Sequence, residues 1–519
     1  MSNANPKLDT VELAWFHKHK SLLYRLLLYL LVAALIYLRI TVFLHPNSLM
    51  IDEANVALNL AERNFIELWQ PLDYQQYAPP LFLSWAKLSS WLFGMNEYAL
   101  RLPALLSSLL SIYLIIRICR LPYLRLSAPF ILIALCLFGS SHIMLFHADL
   151  LKQYSSDGLF SLLLVALAMR YSYSTLLLRK GLFLWTILGS ILIWFSMPIV
   201  FVLASVGLFY IYEASRNAQG NKVLKALAVP AAIWGVQFVV YFFAILKTDA
   251  ESEYLQNFHR AYFFDYALWN AESWVKNTQI IMGLVQAFVG KTVVVFIWLA
   301  FSTAAALYTI ARKHRALFFL LVLPFFFAVV ASFLHYYSFI PRLLVFFMPL
   351  FSILLALGLK TLWQIQNVIA RFLVLLSSIF IIAQMSAWKY ILPDTHCLME
   401  ETREVMDDLR PVSDPSQAIF VNHSGVPALT FYTKYHSNSE NYRYFAHFRH
   451  INWDQNLVKE VNEFMDEHPQ TDLMVIWGHE RNAVIQKQLN SLEEASFFIM
   501  QDIEKTMARG ILLAHSKGK

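Results

Sequence analysis

Residues 22–53 are LLYRLLLYLLVAALIYLRITVFLHPNSLMIDE, an apolar run followed by two adjacent carboxylates, Asp52 and Glu53. The run is long enough to cross the roughly 30 Å hydrocarbon core of a bilayer. Lys18 and Lys20 precede it and no small-residue cleavage site follows it, so we expect a retained signal-anchor. This stretch predicts a membrane helix that places an acidic pair at one face of the membrane.

The composition of the whole chain agrees with this prediction. Hydrophobic residues make up 58% of the 519 residues, aromatic residues 15% and charged residues 15%. Such a balance is far from that of soluble domains and predicts a protein with several membrane spans. The net charge is +6, but Lys and Arg lie in short clusters between apolar runs, which is typical of cytoplasmic membrane loops. We therefore exclude nucleic acid as a partner.

About eleven apolar runs have nearly the length of a membrane span. They cover residues 22–44, 100–117, 128–146, 157–171, 182–197, 198–212, 226–246, 292–311, 316–334, 342–359 and 370–388. A further apolar piece at 280–289 is too short to span. The basic clusters alternate, which predicts a cytoplasmic N-terminus and an outer position for the Asp52–Glu53 loop and the C-terminal tail. We expect a cytoplasmic tail (1–21), a transmembrane domain with outer loops (22–389) and a soluble extracytoplasmic domain (390–519).

The C-terminal tail has the pattern of a small α/β domain. Strand-like runs cover residues 418–421, 473–477 and 510–514, and Pro427 follows a Gly turn at an early helical position. His423 and His479 lie at strand ends, where they could face a ligand. Both also suit solvent-exposed loops, so we assign them no role. The predicted fold is an α-helical polytopic membrane protein with this α/β domain.

Candidate chemistry lies in the outer loops, where carboxylates, cations and tyrosines occur at one depth. The stretches are Asp52–Glu53, residues 77–85, residues 147–157 and residues 335–342. A carboxylate that takes a proton and cations that hold an anion suit transfer of a group from a phosphate to a hydroxyl or amine. The chain lacks a strand, Gly-rich loop and helix for binding a nucleotide. An outward-facing sugar transferase would therefore need a lipid-linked donor.

At these residues the chain resembles the GT-C class of polyprenyl-phosphate-sugar glycosyltransferases, especially bacterial relatives of the protein O-mannosyltransferases and of the lipid A aminoarabinose transferase. Asp52–Glu53 resembles the acidic motif of the class, and Pro341-Arg342 resembles its PRY signature. Between them, Pro79-Pro80-Leu81 with Trp85 and then residues 93–103 resemble its next segment. The similarity runs through most of the membrane region. Ala78 replaces a frequent Lys, and Leu343 replaces a frequent Tyr.

The resemblance implies an inverting sugar transfer in which Asp52 deprotonates the acceptor. Glu53 would help to position the acceptor, although both acids also suit the first turn of a helix over 52–63. Because of the two departures, phosphate binding is expected to shift to Lys152 or Arg342. The remaining candidate substrate-binding residues are Tyr154, Asp157, Tyr77 and Tyr337. Interfacial anchoring is the alternative for Arg342, Tyr77 and Tyr337. A solvated loop between helices is the alternative for Lys152, Tyr154 and Asp157.

The expected partners are a polyprenyl-phosphate sugar, membrane lipids and an unknown extracytoplasmic acceptor. No cofactor or metal is predicted, because a phosphate held by Arg and Lys is already an adequate leaving group. The plain basic N-terminus favours a bacterial inner membrane. The alternatives are a non-catalytic membrane scaffold of the same fold, a transporter and a lipid phosphotransferase. A transporter would need repeats and broken paired helices, and about 130 tail residues are few for a phosphotransferase domain.

Overall fold

The computed structural model describes residues 6–45, 48–247, 251–267, 269–385, 387, 389, 400–414, 416–452, 455–468, 472–494 and 497–515. They form a mostly helical chain with one small sheet near the C-terminus, as predicted. The chain divides into two compact units. The membrane unit comprises residues 1–41, 104–149 and 153–395, and the loop unit comprises residues 42–103, 150–152 and 396–519. The predicted extracytoplasmic domain boundary, at 389–390, adjoins residues outside the described ranges.

The described part of the chain before residue 400 consists mainly of helices. They are α1 (Pro6–Leu44), α2 (Ile51–Glu62), α3 (Pro80–Phe93), α4 (Glu97–Arg120), α5 (Ala128–Gly139), α6 (His142–Phe146), α7 (Tyr154–Arg170), α8 (Arg179–Phe195), α9 (Ile199–Ser215), α10 (Gly220–Tyr241), α11 (Glu253–Arg260), α12 (Ala271–Phe288), α13 (Val293–Lys313), α14 (Ala316–Leu321), α15 (Leu323–Phe333), α16 (Met348–Trp363) and α17 (Val368–Gln384). Each predicted apolar run overlaps at least one of them.

Four described segments are long and apolar enough to cross a membrane: Leu22–Leu44, Glu97–Arg120, Gly220–Leu246 and Val293–Lys313. A fifth span results if α5 and the segment His142–Asp149, which are bent by 65°, count as one. Several shorter apolar helices accompany them. The chain is thus a multi-pass membrane protein, while the number of eleven spans stays a prediction. The apolar piece 280–289 belongs to the longer helix α12, because its polar first half continues the same helix.

Close packing in the membrane unit depends on small residues where helices cross. α16 packs along α13, and a Cβ added at Gly358 would lie only 1.8 Å from the carbonyl oxygen of Ser302. Glycine therefore lets the two backbones approach. α8 and α9 are separated at Ser196–Pro198, close to the turn that the sequence predicts near Pro198.

The loop unit begins with the acidic helix α2, which packs against α3 and against a helix of the tail. Met50 precedes α2 in extended conformation, and its backbone N–H donates to Glu53 Oε2 at 3.2 Å. Asp52 and Glu53 therefore occupy the first turn, where carboxylates favour the positive end of the helix. The predicted helix over 52–63 is confirmed as Ile51–Glu62.

The tail forms a five-stranded sheet in the order β2-β1-β3-β5-β4. Its elements are β1 (Ala418–Asn422), β2 (Phe448–Ile451), β3 (Leu473–Gly478), β4 (Phe497–Lys505) and β5 (Ala508–His515), with helices α18 (Thr402–Leu409), α19 (Val426–Lys434), α20 (Leu457–Glu467) and α21 (Asn482–Glu494). β1, β2 and β3 are parallel, whereas β5 pairs antiparallel with β3 and β4. The three predicted strands and the helix after Gly425 are confirmed.

Two interiors hold the loop unit together. Trp477, Phe420 and Ile511 of the sheet pack with Val461 and Ile485 of the flanking helices in an apolar core. The second interior is polar and centres on Glu97 at the start of α4. Its carboxylate accepts hydrogen bonds from Tyr432 at 3.0 Å, from His436 at 3.1 Å and from Arg403. Such a buried network fixes its members only when every partner is present.

Candidate active site

Asp52 and Glu53 are neighbours in sequence but differ in environment. Asp52 is half-buried, whereas the side chain of Glu53 is 1% exposed. Successive helical residues point about 100° apart, so the two carboxylates cannot face the same partners. The first turn of α2 thus directs one acid towards the interior of the loop unit and leaves the other accessible.

Glu53 accepts four hydrogen bonds. Arg101 Nε and Nη2 donate to its two carboxylate oxygens at 2.9 and 2.7 Å, and the backbone N–H groups of Leu151 and Met50 donate at 2.7 and 3.2 Å. Arg101 is also 1% exposed and donates to the carbonyl oxygen of Ser48 at 3.1 Å. A bidentate Arg–carboxylate pair of this kind holds its geometry rigidly. Glu53 therefore fixes the start of α2 and the loop that carries Lys152.

Asp52 is linked to Lys152 through the amide of Gln76. Gln76 Nε2 donates to Asp52 Oδ1 at 3.4 Å, and Lys152 Nζ donates to Gln76 Oε1 at 2.7 Å. Lys152 is only 7% exposed. Tyr77, the residue after Gln76, is half-buried. The structure thus brings Asp52, Glu53 and Lys152 together in the loop unit. A carboxylate and a cation in this arrangement can take a proton and hold an anion.

A histidine of the sheet domain lies near the same carboxylate. His479 follows β3 directly, and its Nδ1 lies 3.0 Å from Oε2 of the fully buried Glu400. The hydrogen bond to Glu400 raises the pKa of His479, burial opposes the rise, and the charges of Glu400, Asp52 and Glu480 add to it. The charge of Asp52 thus contributes to the raised pKa of His479.

The other predicted substrate-binding residues lie in the membrane unit. Tyr154 and Asp157 occupy the first turn of α7, and both are buried. Tyr337 is also buried and donates from its hydroxyl to the carbonyl oxygen of Leu343 at 2.6 Å. Burial raises the pKa of Tyr337, and the nearby Asp157 and Tyr154 raise it further. The structure thus brings these three residues together, with the Tyr337 hydroxyl used by the backbone.

Arg342 lies in the same unit, in the helical turn Pro341–Phe346. Its guanidinium carbon is 5.9 Å from the ring centroid of Phe258 in α11. Burial lowers the pKa of the neighbouring His259, and the charge of Arg342 lowers it further. Arg342 is thus a half-buried cation beside an amphipathic helix, and its role as a phosphate ligand stays a prediction.

The sequence gives little or no indication of three other residues of the site, Arg101, Gln76 and Glu400. Arg101 opens an apolar helix, where a charge needs a buried partner, and this alone could have suggested an ion pair. Gln76 and Glu400 carry no such signal, because an amide or acid in a polar loop has no distinctive pattern. Among the residues that the structure describes, no three His, Cys, Asp or Glu side chains form a group that could hold a metal ion.

No protein-family model matches the sequence, and no curated protein matches it. Solved structures do match it. A crystal structure of ArnT from Cupriavidus metallidurans bound to undecaprenyl phosphate shares 14% identity over 93% of this chain and 97% of that chain, with a TM-score of 0.50. The apo state of the same protein matches with the same values.

The archaeal oligosaccharyltransferase AglB from Archaeoglobus fulgidus, in complex with an inhibitory peptide and a dolichol-phosphate, shares 12% identity over 97% of this chain and 75% of that chain. Its TM-score is 0.45. The likeness to ArnT supports a common fold, because the TM-score is 0.50 over 93% of this chain. At 14% identity the activity has to be argued from the site.

Proposed function

We propose that this chain, a multi-pass membrane protein with the GT-C fold, transfers a sugar from a polyprenyl-phosphate donor to an extracytoplasmic acceptor. The observation that carries the proposal is the linked set of Asp52, Gln76 and Lys152 in the loop unit, a half-buried carboxylate joined through one amide to a buried cation. A binding scaffold has no need to keep a carboxylate accessible beside a cation. The donor class is supported by ArnT, whose structure holds undecaprenyl phosphate.

In the proposed reaction, Asp52 is the general base. An acceptor oxygen attacks the anomeric carbon from the face opposite the phosphate while Asp52 takes the hydroxyl proton. The new C–O bond forms as the bond between the anomeric carbon and the phosphate oxygen breaks, and the electron pair leaves with the polyprenyl phosphate. The sugar is therefore transferred with inversion. A positioned carboxylate contributes roughly 10²- to 10⁴-fold to such a step.

Lys152 is the proposed group that stabilises the leaving phosphate. The departing lipid phosphate gains negative charge as the bond breaks, so a nearby cation lowers the energy of the transition state. Burial strengthens this effect because fewer water molecules screen the ammonium. Gln76 orients both groups, since its amide donates to Asp52 and accepts from Lys152. Arg342 remains a predicted second phosphate ligand.

Glu53 is better suited to position Asp52 than to react itself. Its two oxygens already accept four hydrogen bonds, two of them from Arg101. Both oxygens are therefore occupied by donors of the protein. We propose that the pair of Glu53 and Arg101 holds the first turn of α2 in place, so that the acid next to it faces the substrate. We also propose a bacterial inner membrane location with the loop unit outside.

The test is a transfer assay with purified protein and a panel of polyprenyl-phosphate sugars, offered together with lipid, polysaccharide and peptide acceptors. Released polyprenyl phosphate and the glycosylated product are measured by mass spectrometry. Wild type is compared with Asp52→Asn and Arg342→Ala. Asp414→Asn and Arg312→Ala are the matched controls, because they make the same kinds of change at exposed residues.

We expect transfer by wild type and both controls, and slower transfer by both test variants. If Asp52→Asn and Arg342→Ala fold and transfer sugar at the parental rate, the site assignment is wrong. If no donor yields product with wild type, the result favours a non-catalytic membrane scaffold of the same fold.

A further inference from the structure

We propose that His479 of the sheet domain is an additional anion-binding residue of this active site, which donates from its ring to the phosphate of the lipid donor. The inference rests on the proposed function and assigns a role to the C-terminal domain. The observation behind it is a set of hydrogen bonds that joins His479 to Glu53, the chain neighbour of Asp52, through Glu400, Ser48 and Arg101.

Glu400 orients the histidine ring. The His479 Nδ1 to Glu400 Oε2 distance is 3.0 Å, and the other Glu400 oxygen accepts from the Thr402 hydroxyl at 2.7 Å. Because Nδ1 is bonded to Glu400, Nε2 is the nitrogen through which the ring can bind a ligand. The His479 side chain is 32% exposed, whereas that of Glu400 is fully buried. Glu400 is thus the buried member of the pair, and His479 is the accessible one.

The backbone around His479 is held on both sides. Asn422 bonds to both the N–H and the carbonyl of Gly478, at 2.9 and 3.0 Å, and the N–H of Glu480 donates to the carbonyl oxygen of Met507 at 3.3 Å. Between them His479 has a φ of +50°, which is uncommon for a residue with a side chain. Strained conformations of this kind persist where the surroundings impose them and concentrate at functional sites.

Hydrogen bonds also connect the His479–Glu400 pair to the ion pair of Glu53 and Arg101. The Ser48 hydroxyl donates to the Glu400 carbonyl oxygen at 2.7 Å, and Arg101, which binds Glu53, donates to the Ser48 carbonyl oxygen. Hydrogen bonds therefore link Glu53 to His479 residue by residue, through Arg101, Ser48 and Glu400. Both ends of this chain are fixed relative to the loop unit, which is what a preorganised anion site requires.

The charges that face His479 are negative. Glu400, Asp52 and Glu480 all favour the protonated ring, and they raise the pKa of His479 above its usual value. A lipid phosphate placed beside the ring would therefore meet a cation up to a higher pH than beside an ordinary histidine. The sign of the pH dependence follows: the cation is present below the folded-state pKa and is lost as the pH rises through it.

The experiment measures undecaprenyl phosphate binding to full-length protein in detergent, from about pH 5.5 to about pH 8.5. Wild type is compared with His479→Gln, with Glu400→Gln and with the control His450→Gln, which changes another histidine of the sheet domain. The lipid phosphate titrates in the same range, so the quantity of interest is the ratio of the affinities of wild type and variant at each pH. Thermal unfolding of each variant verifies that it is folded.

We expect wild type to bind about tenfold more tightly than His479→Gln at low pH, the loss typical of one charge-assisted hydrogen bond. This ratio should approach one at high pH. Glu400→Gln should lose its tight binding of the lipid at a lower pH than wild type does. His450→Gln should match wild type. A ratio that does not change with pH overturns the inference while leaving the proposed function intact. Failure of every protein to bind the lipid at any pH overturns the proposed function itself.

Discussion

Removal of the Arg101 guanidinium should destabilise the loop unit strongly. The variant Arg101→Met takes away two hydrogen bonds to Glu53 and one to Ser48, and it leaves a carboxylate that is 1% exposed without its counter-ion. Breaking a buried ion pair at one partner costs about 3–5 kcal/mol. Glu53 keeps its backbone donors Met50 and Leu151. We therefore expect a loss near the lower end, about 3 kcal/mol.

The assay is equilibrium unfolding in detergent of wild type, Arg101→Met, Glu53→Gln and the double variant. The double variant should be more stable than the sum of the single losses implies, by about 2 kcal/mol, since it removes both charges. The control is Arg63→Met, which breaks an ion pair with the exposed Asp73 and a hydrogen bond to the Pro71 carbonyl oxygen, and should cost about 2 kcal/mol at most. Strictly additive losses, or a loss for Arg101→Met as small as that for Arg63→Met, would refute the reasoning.

Three further outcomes are expected. Lys152→Met should lower kcat/KM for the lipid donor about tenfold, because one charged contact to the phosphate is lost; unchanged kinetics would remove Lys152 from the site. Chelation with EDTA should leave transfer unaltered, and a loss of activity that added metal restores would show that a divalent ion takes part. A cysteine introduced by Asn64→Cys, next to α2, should react with a membrane-impermeant thiol reagent from the outer side only, and labelling from the cytoplasmic side would invert the topology.

Local patterns in the sequence predicted most of the fold. The apolar run 22–44 and the strands at 418–421, 473–477 and 510–514 each follow from periodicity and turn residues, which are local signals. The structure extends these strands by a few residues at most, to Ala418–Asn422, Leu473–Gly478 and Ala508–His515. The helix that carries Asp52 was equally predictable. The helix around 280–289 differs, because its polar first half carries no apolar signal, and the apolar run 128–146 is broken by a bend of 65°.

The partners within the candidate site could not be predicted in the same way. Glu53 and Arg101 are 48 positions apart, and Glu400 and His479 are 79 positions apart. No helical or strand period links such distant residues, so only the folded chain shows that they pair. For this reason the sequence assigns no role to His479 and places Glu53 beside Asp52 in the same site. The structure separates the two acids by the bonds that each one makes.

The identity of the base tests the central claim most directly. Asp52→Asn keeps the shape of the side chain and removes its ability to take a proton. Undecaprenyl phosphate binding and single-turnover sugar transfer are measured on the same preparation of this variant. The account predicts binding within about twofold of wild type and transfer slower by roughly 10²- to 10⁴-fold. Transfer at the wild-type rate by a folded variant that binds the lipid normally would contradict it.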